Sequence, residues 1–293
     1  MNAGTIRRYV WPMTAGVLSF IMVLGALWFV QSRGYLGGRA TAQSGAPATP
    51  MSRHQVEDDF VRMALDQAKQ GHVDEALKGL NVAIAANPGK AYEAYYYRGI
   101  IRSEQGDISA GIDDLTKAIK ANPHMAEAYA ARGSLYLTQD RPSTAVKDFS
   151  KAIQLDPKHA ANYINRGQAY LSMDMVDLAL KDLQKALELA PNSLAAHFNR
   201  GVAYFQKKQV DKAIADFTKC IELDPNVPAP YFNRAVAYIE LDKKEKAATD
   251  LAVFLKLSKD GEGRHQAEAL LNSLKAPQQP ITVPSTSAKE GGR

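Results

Sequence analysis

The most regular ionisable groups in the chain are five arginines, Arg98, Arg132, Arg166, Arg200 and Arg234. Each is followed sixteen residues later by an aspartate: Asp114, Asp148, Asp182, Asp216 and Asp250. A guanidinium is a planar fork of donors that a carboxylate accepts through two parallel bonds, so the chemistry on offer is pairing. Across a helical hairpin, a spacing of sixteen brings the first helix's arginine to the second helix's aspartate. The alternative, that the arginines face a ligand, gives the matched aspartates no purpose. Three of the arginines are preceded by asparagines, Asn165, Asn199 and Asn233, again 34 residues apart. Each amide both donates and accepts, so a column of them can bond the main chain of an extended peptide whatever its sequence. Stabilising neighbouring helices is the other role open to such a column.

Catalytic constellations are absent from the sequence. His54, His72, His124, His159, His197 and His265 are scattered, and no pair has the i, i+4 spacing of a helical zinc site. Adjacent acids such as Asp113 with Asp114, or Glu57 with Asp58 and Asp59, read as solvated helix faces. The expectation is a protein that is no enzyme and uses neither cofactor nor metal. The single cysteine, Cys220, excludes an internal disulfide framework. It occupies the position of Ala118, Ala152 and Ala186 in neighbouring blocks, where a small buried thiol packs.

These side chains need elements that place them at a fixed interval, and the prolines mark those elements. Pro88, Pro123, Pro157, Pro191 and Pro225 recur at intervals of 35, 34, 34 and 34 residues. The ring removes a backbone donor and clashes with the preceding turn, so each ends a helix. The blocks run 57–90, 92–125, 126–159, 160–193, 194–227 and 228–261, and each reads as two helices. In the third block Tyr129, Arg132, Gly133 and Tyr136 form an i, i+3, i+4, i+7 stripe, and Ala145, Phe149 and Ala152 form another. Gly99, Gly133, Gly167 and Gly201 recur at one position. Mid-helix glycine costs about 1 kcal/mol relative to alanine, so its recurrence implies close helix approach.

With this period and Asn165-Arg166-Gly167 and Asn199-Arg200-Gly201 in its first helices, the chain resembles the tetratricopeptide repeat family, in its Asn-Arg-Gly subtype. The resemblance covers residues 57–260 and implies an all-α fold: an α-solenoid, wound as a right-handed superhelix, of about six repeats. The terminal blocks depart from the pattern, with Met63-Ala64 for Arg-Gly in the first, and Ala235 for glycine and Lys259 for proline in the last. Beyond them, residues 265–275 place Leu270, Leu271 and Leu274 on one face, as a capping helix or alternatively a partner-binding one.

A second stripe on the first helices is displaced by one residue from the packing stripe. Phe198, Val202 and Phe205 recur in it, as do Phe232, Val236 and Ile239, continuing through Ile164, Gln168 and Leu171 and through Tyr96 and Ile100. The resemblance implies that this stripe lines a concave groove for a protein or peptide partner. The same resemblance extends a peptide-bonding role to Asn165, Asn199 and Asn233 only, since earlier blocks have Tyr97 and Ala131 there. Packing of one repeat on the next is the alternative for the stripe. The lysine and asparagine set that grips C-terminal carboxylates in chaperone-binding members is unmatched, because Val61, Leu65 and Tyr96 stand in the early blocks.

Upstream, residues 10–30 are 21 residues without a charge, enough for a transmembrane helix, with Tyr9, Trp11 and Trp28 near the ends and Arg7, Arg8 and Arg33 flanking. A cleaved signal has a shorter apolar core and a nearer cleavage site than Ala40-Thr41-Ala42. The resulting organisation is a basic tail (1–9), a membrane helix (10–30), a flexible linker (31–55), the repeat domain (56–260), a capping helix (261–275) and a disordered tail (276–293). The net charge of +5 is carried by residues 1–56, which hold five arginines and no acid. Residues 57–275 hold 29 basic and 30 acidic side chains, which excludes a nucleic-acid footprint. The expected protein is a single-pass membrane adaptor of the bacterial inner membrane, its repeats in the periplasm, assembling an envelope complex. A self-assembling structural protein and an organelle import receptor are the rival readings.

Overall fold

The computed structural model describes residues 53–259 and 261–275. Among these residues there are thirteen α-helices and no strand. They are α1 (Arg53–Lys69), α2 (Val73–Ala86), α3 (Tyr92–Glu104), α4 (Ile108–Ala121), α5 (Ala126–Thr138), α6 (Pro142–Leu155), α7 (Ala160–Ser172), α8 (Val176–Leu189), α9 (Leu194–Gln206), α10 (Val210–Leu223), α11 (Pro228–Glu240), α12 (Lys244–Leu257) and α13 (Gly261–Lys275). Consecutive pairs form six hairpins. Helix α1 is described from Arg53 onward, so helix already occupies residues 53–55 of the range expected for the linker. The membrane helix expected over 10–30 and the tail 276–293 lie outside the described residues. No described helix is long and apolar enough to cross a membrane.

Each hairpin turns in the same way. The residue that closes the first helix takes a left-handed backbone, at Gly71 and Gly106 and then at Asp140, Asp174, Lys208 and Asp242. The following amide reaches back five residues, as Arg141 N to Tyr136 O at 2.8 Å and Gln209 N to Tyr204 O at 2.9 Å, a Schellman closure. Glycine and aspartate tolerate this conformation, while a lysine bears its steric cost.

The chain divides into two compact units near Pro225. In the first, hairpins α1α2 to α9α10 stack in order, with second helices meeting the next first helices and α3, α5, α7 and α9 touching in sequence. Its core alternates small and large: Ala145, Phe149 and Ala152 on α6, Ala179, Leu183 and Ala186 on α8, and Ala213, Phe217 and Cys220 on α10 are all buried. Gly201 is required by the close packing here, since a Cβ on it would stand 2.7 Å from Cε1 of Phe217. Burial pushes the Cys220 thiol up to about 12, with the charge of Asp216 adding to the shift.

In the second unit α11 pairs with α12, and α13 lies along α12, burying Gly263, Ala267 and Leu270. Arg264 donates from Nη1 to the carbonyls of Leu255 and Ser258, satisfying acceptors at the end of α12.

Candidate functional site

The five arginine–aspartate pairs are all bidentate. Nε and Nη2 of Arg166 donate to Asp182 at 2.7 and 2.8 Å, and the other four pairs fall between 2.7 and 2.9 Å. The aspartates are buried, from 0% exposed at Asp114 to 7% at Asp148. Bonding to the carboxylate raises Arg132, Arg166, Arg200 and Arg234 above the ordinary arginine range, against a smaller opposing effect of burial. At Arg132, Arg166 and Arg234 tyrosines three residues before and four after flank the guanidinium, as Tyr163 and Tyr170 do at 6.0 and 5.9 Å from Arg166, whereas four residues after Arg98 stands Arg102, which itself donates to Asp114 at 2.8 Å. In the fifth hairpin His197 replaces the first tyrosine and joins Asp216 through Nδ1 at 2.8 Å.

The remaining guanidinium nitrogen makes a contact that pairwise spacing does not announce. Nη1 of Arg98 donates to Asn81 at 2.6 Å, Arg132 to Thr116 at 3.0 Å, Arg166 to Ser150 at 3.0 Å and Arg200 to Gln184 at 2.8 Å. Each acceptor lies on the second helix of the preceding hairpin. One arginine therefore ties three helices and fixes the angle between hairpins as well as within one. The signal was available as a column of polar residues one step before Lys117, Lys151 and Lys185, but asparagine, threonine, serine and glutamine share no single side-chain type. In the first hairpin the equivalent positions are Met63 and Gly79, so arginine and aspartate are lost together where there is no earlier hairpin to tie.

The displaced stripe behaves differently from the expectation. Phe198 is 1% exposed, Phe205 5%, Tyr96 6%, Ile164 8%, Phe232 0% and Val236 3%. The ring of Phe198 packs on Phe217 at 5.8 Å, and Phe232 packs on Phe254 at 5.1 Å. These residues are buried in the protein's own packing, the alternative role open to the stripe. The reason is angular: at about 100° per residue, Phe198 and Phe205 lie roughly 60° and 40° from Gly201, which faces the second helix. Val202 and Ile239 remain half-buried.

The face turned further from the second helix, roughly 100–160° from the glycine, carries Ala161, Asn165, Gln168 and Ser172 on α7 and Ala195, Asn199, Val202 and Gln206 on α9. No ionisable side chain stands among these eight. The amides of Asn165 and Asn199 make no side-chain hydrogen bond to any described residue, although Asn199 is only 9% exposed. Oε1 of Gln206 is buried and equally unmatched. Asn233, on α11 of the second unit, is 2% exposed and does have a bonding partner. The amide column thus separates into two members that bond to no described residue and one that has an interaction within the protein.

Elsewhere in the first unit a cavity of about 210 Å³ is lined by Tyr92, Glu93, Asn122, His124, Met125, Ala126, Glu127, Leu155 and Asp156, none of them a residue singled out from the sequence as a site. Burial, and then the charge of Glu127, pushes the phenol of Tyr96 up. Among the described residues no group of three or more His, Cys, Asp or Glu could hold a metal ion.

The sequence matches the tetratricopeptide repeat at residues 126–159, 160–193 and 195–227, and a second tetratricopeptide repeat pattern at 217–249. These are tetratricopeptide repeats. The repeats have the shape of solved proteins of low identity. The pilF protein of Pseudomonas aeruginosa matches 75% of this chain and 99% of its own at TM-score 0.65 and 15% identity. A tetratricopeptide repeat protein of Parabacteroides merdae matches 75% and 86% at TM-score 0.64 and 21% identity. YrrB, described as a tetratricopeptide repeat protein with an unusual peptide-binding site, matches 65% and 97% at TM-score 0.52 and 23% identity. These likenesses establish the fold of the repeats. Comparison with curated protein sequences yields no match. Stacked repeats of this kind form extended surfaces of the sort used in protein–protein interaction.

Proposed function

We propose that the chain is a membrane-tethered adaptor that holds an extended segment of a partner protein on the first-helix face of α7 and α9. One observation carries this reading. Asn165 and Asn199 stand 34 residues apart on equivalent faces of touching helices, with amides that bond to no described protein group. Both amides keep access to solvent and spend no bond on the protein, so they are open to the donors and acceptors of a main chain running across them. Ala161, Ala195 and Val202 leave the backbone of a bound segment room to approach. That YrrB is described as binding a peptide is in keeping with this use of the fold.

The tether rests on residues 10–30, whose 21 uncharged residues between arginines suit a retained membrane anchor. The basic tail before them favours repeats on the outer side of a bacterial inner membrane, where an envelope complex is the setting for an adaptor. The test is capture of the native partner by the full chain and by an Asn165→Ala, Asn199→Ala variant. Each lost amide costs about 1 kcal/mol, roughly fivefold, so capture falls roughly 25-fold while circular dichroism reports intact helices. Unchanged capture by the folded variant refutes the reading.

A further inference from the structure

We propose that the partner segment held on the α7–α9 face is a left-handed polyproline helix without ionised side chains, read once per three-residue turn, first by Asn165 and then by Asn199. The inference rests on the reading of that face as a binding surface and specifies the conformation and composition of what it holds. Both amides lie in one compact unit, at equivalent places on helices whose Cα atoms come within 8 Å of each other. The axes of helices packed side by side stand about 8–10 Å apart, so the second amide repeats the first after roughly that distance. A bound main chain must therefore present the same bonding edge twice at this interval.

Backbone conformations differ in that repeat. A β-strand returns to the same face every second residue, after about 6.6 Å, and its third residue points the opposite way. An α-helix laid across the face spends its N–H and C=O groups on itself and offers the amides nothing. A polyproline helix turns once in three residues with a rise of about 3.1 Å each, roughly 9.3 Å per turn, and its main-chain groups have no internal partner. Of the three, it is the one that shows an identical, unbonded edge at the spacing of the amides. One amide can donate to the carbonyl and accept from the N–H of a single residue, so the residue at each amide keeps its N–H and is not proline. The two residues between are free to be proline, which presets this backbone and reduces the entropy lost on docking. The lining sets the composition. Ala161, Ala195 and Val202 offer apolar contact to proline rings, and none of the eight residues of the face is ionisable, so a charge turned onto it would be desolvated without compensation.

The experiment titrates the full-length protein in detergent with dye-labelled neutral peptides, read by fluorescence polarisation. The probe is a tandem of Ala-Pro-Pro triplets, which places an N–H at every third residue. One control carries glycine for every proline and is flexible; the other alternates Ala-Pro, keeping the backbone but never placing two N–H groups three residues apart. The triplet peptide is expected to bind, each control at least roughly tenfold more weakly, and the Asn165→Ala, Asn199→Ala variant to bind the triplet peptide roughly 25-fold more weakly while circular dichroism reports intact helices. No binding by the triplet peptide, equal binding by either control, or undiminished binding by the folded variant overturns the proposal. The peptide comparisons use the unaltered protein, so they decide even where the variant fails to fold. A photo-crosslinker at Val202 in the native membrane separates the two readings. If it captures a partner protein while the triplet peptide does not bind, the adaptor reading stands and only the polyproline conformation is excluded; if it captures none and no peptide binds, both fall.

Discussion

Arg166→Ala tests whether the arginine column is structural. The side chain makes three bonds: two to Asp182, at 2.7 and 2.8 Å, and one to Ser150 at 3.0 Å. Its truncation strands Asp182, whose side chain is 7% exposed, as a buried carboxylate without its cation. Breaking such a pair from one side costs about 3–5 kcal/mol, whereas an exposed pair would cost about 0–1. Burial of the aspartate places this case near the upper range. The converse change is milder, because Arg166 is 19% exposed and can turn to water, so Asp182→Ala should cost about 1–3 kcal/mol. The double variant removes both charges and should lose less than the two singles summed, by about 2 kcal/mol. Ser150→Ala leaves the pair intact and cuts only the bond to the preceding hairpin. It should cost about 0.5–1.5 kcal/mol and broaden the transition, since coupling between hairpins makes stacked repeats unfold together. Urea unfolding followed by circular dichroism measures all four. Additivity of Arg166→Ala and Asp182→Ala within 0.5 kcal/mol would refute the pairing, and a larger loss of partner capture than of stability would return the arginines to a binding role.

Other substitutions probe the packing. Gly201→Ala gains about 1 kcal/mol in helix propensity but drives a methyl to 2.7 Å from Phe217, so thermal melts should show a net loss of about 1–2 kcal/mol. Phe198→Ala empties a site 1% exposed and should lower stability by about 3–5 kcal/mol, read by urea unfolding; a stable variant with impaired capture would restore the ring to the binding face. Cys220 should resist thiol reagents at pH 8 in the folded chain and react once urea unfolds it. Its buried thiol stays neutral up to about 12 while an unfolded thiol ionises near the ordinary 9.0. Unfolding therefore releases a proton between those values, and stability falls as pH rises through them. Cys220→Ala should remove that part of the alkaline decline, measured by urea midpoints from pH 8 to 11.

Much of the architecture was legible because it repeats. One proline interval marks hairpins that all turn alike, and the sixteen-residue interval from Arg98 to Asp114 or Arg166 to Asp182 reads as a cross-helix pair because two helices of thirteen or fourteen residues return the chain by that distance. The side chains of the candidate site were harder to read, because a hydrophobic stripe does not state its angle to its neighbours. Phe198 and Phe232 follow the groove's spacing yet face the interior, where their rings pack on Phe217 and Phe254 of the second helices. The amides were visible as a column, but their bonding state was not: Asn165 and Asn199 are unmatched while Asn233 is engaged. The bond from each arginine back to the preceding hairpin escaped notice because its acceptors share a position and no residue type.

The claim that the first-helix face holds the partner is tested most directly by site-specific photo-crosslinking in the native membrane. Crosslinkers at Gln168 and Val202 sample that face, and crosslinkers at Lys151 and Lys185, on second helices, sample the outer side. The account predicts one partner protein captured at Gln168 and Val202, with the adduct lost when Asn165 and Asn199 are alanine. Capture of that same partner at Lys151 or Lys185, with none at Gln168 or Val202, would contradict it.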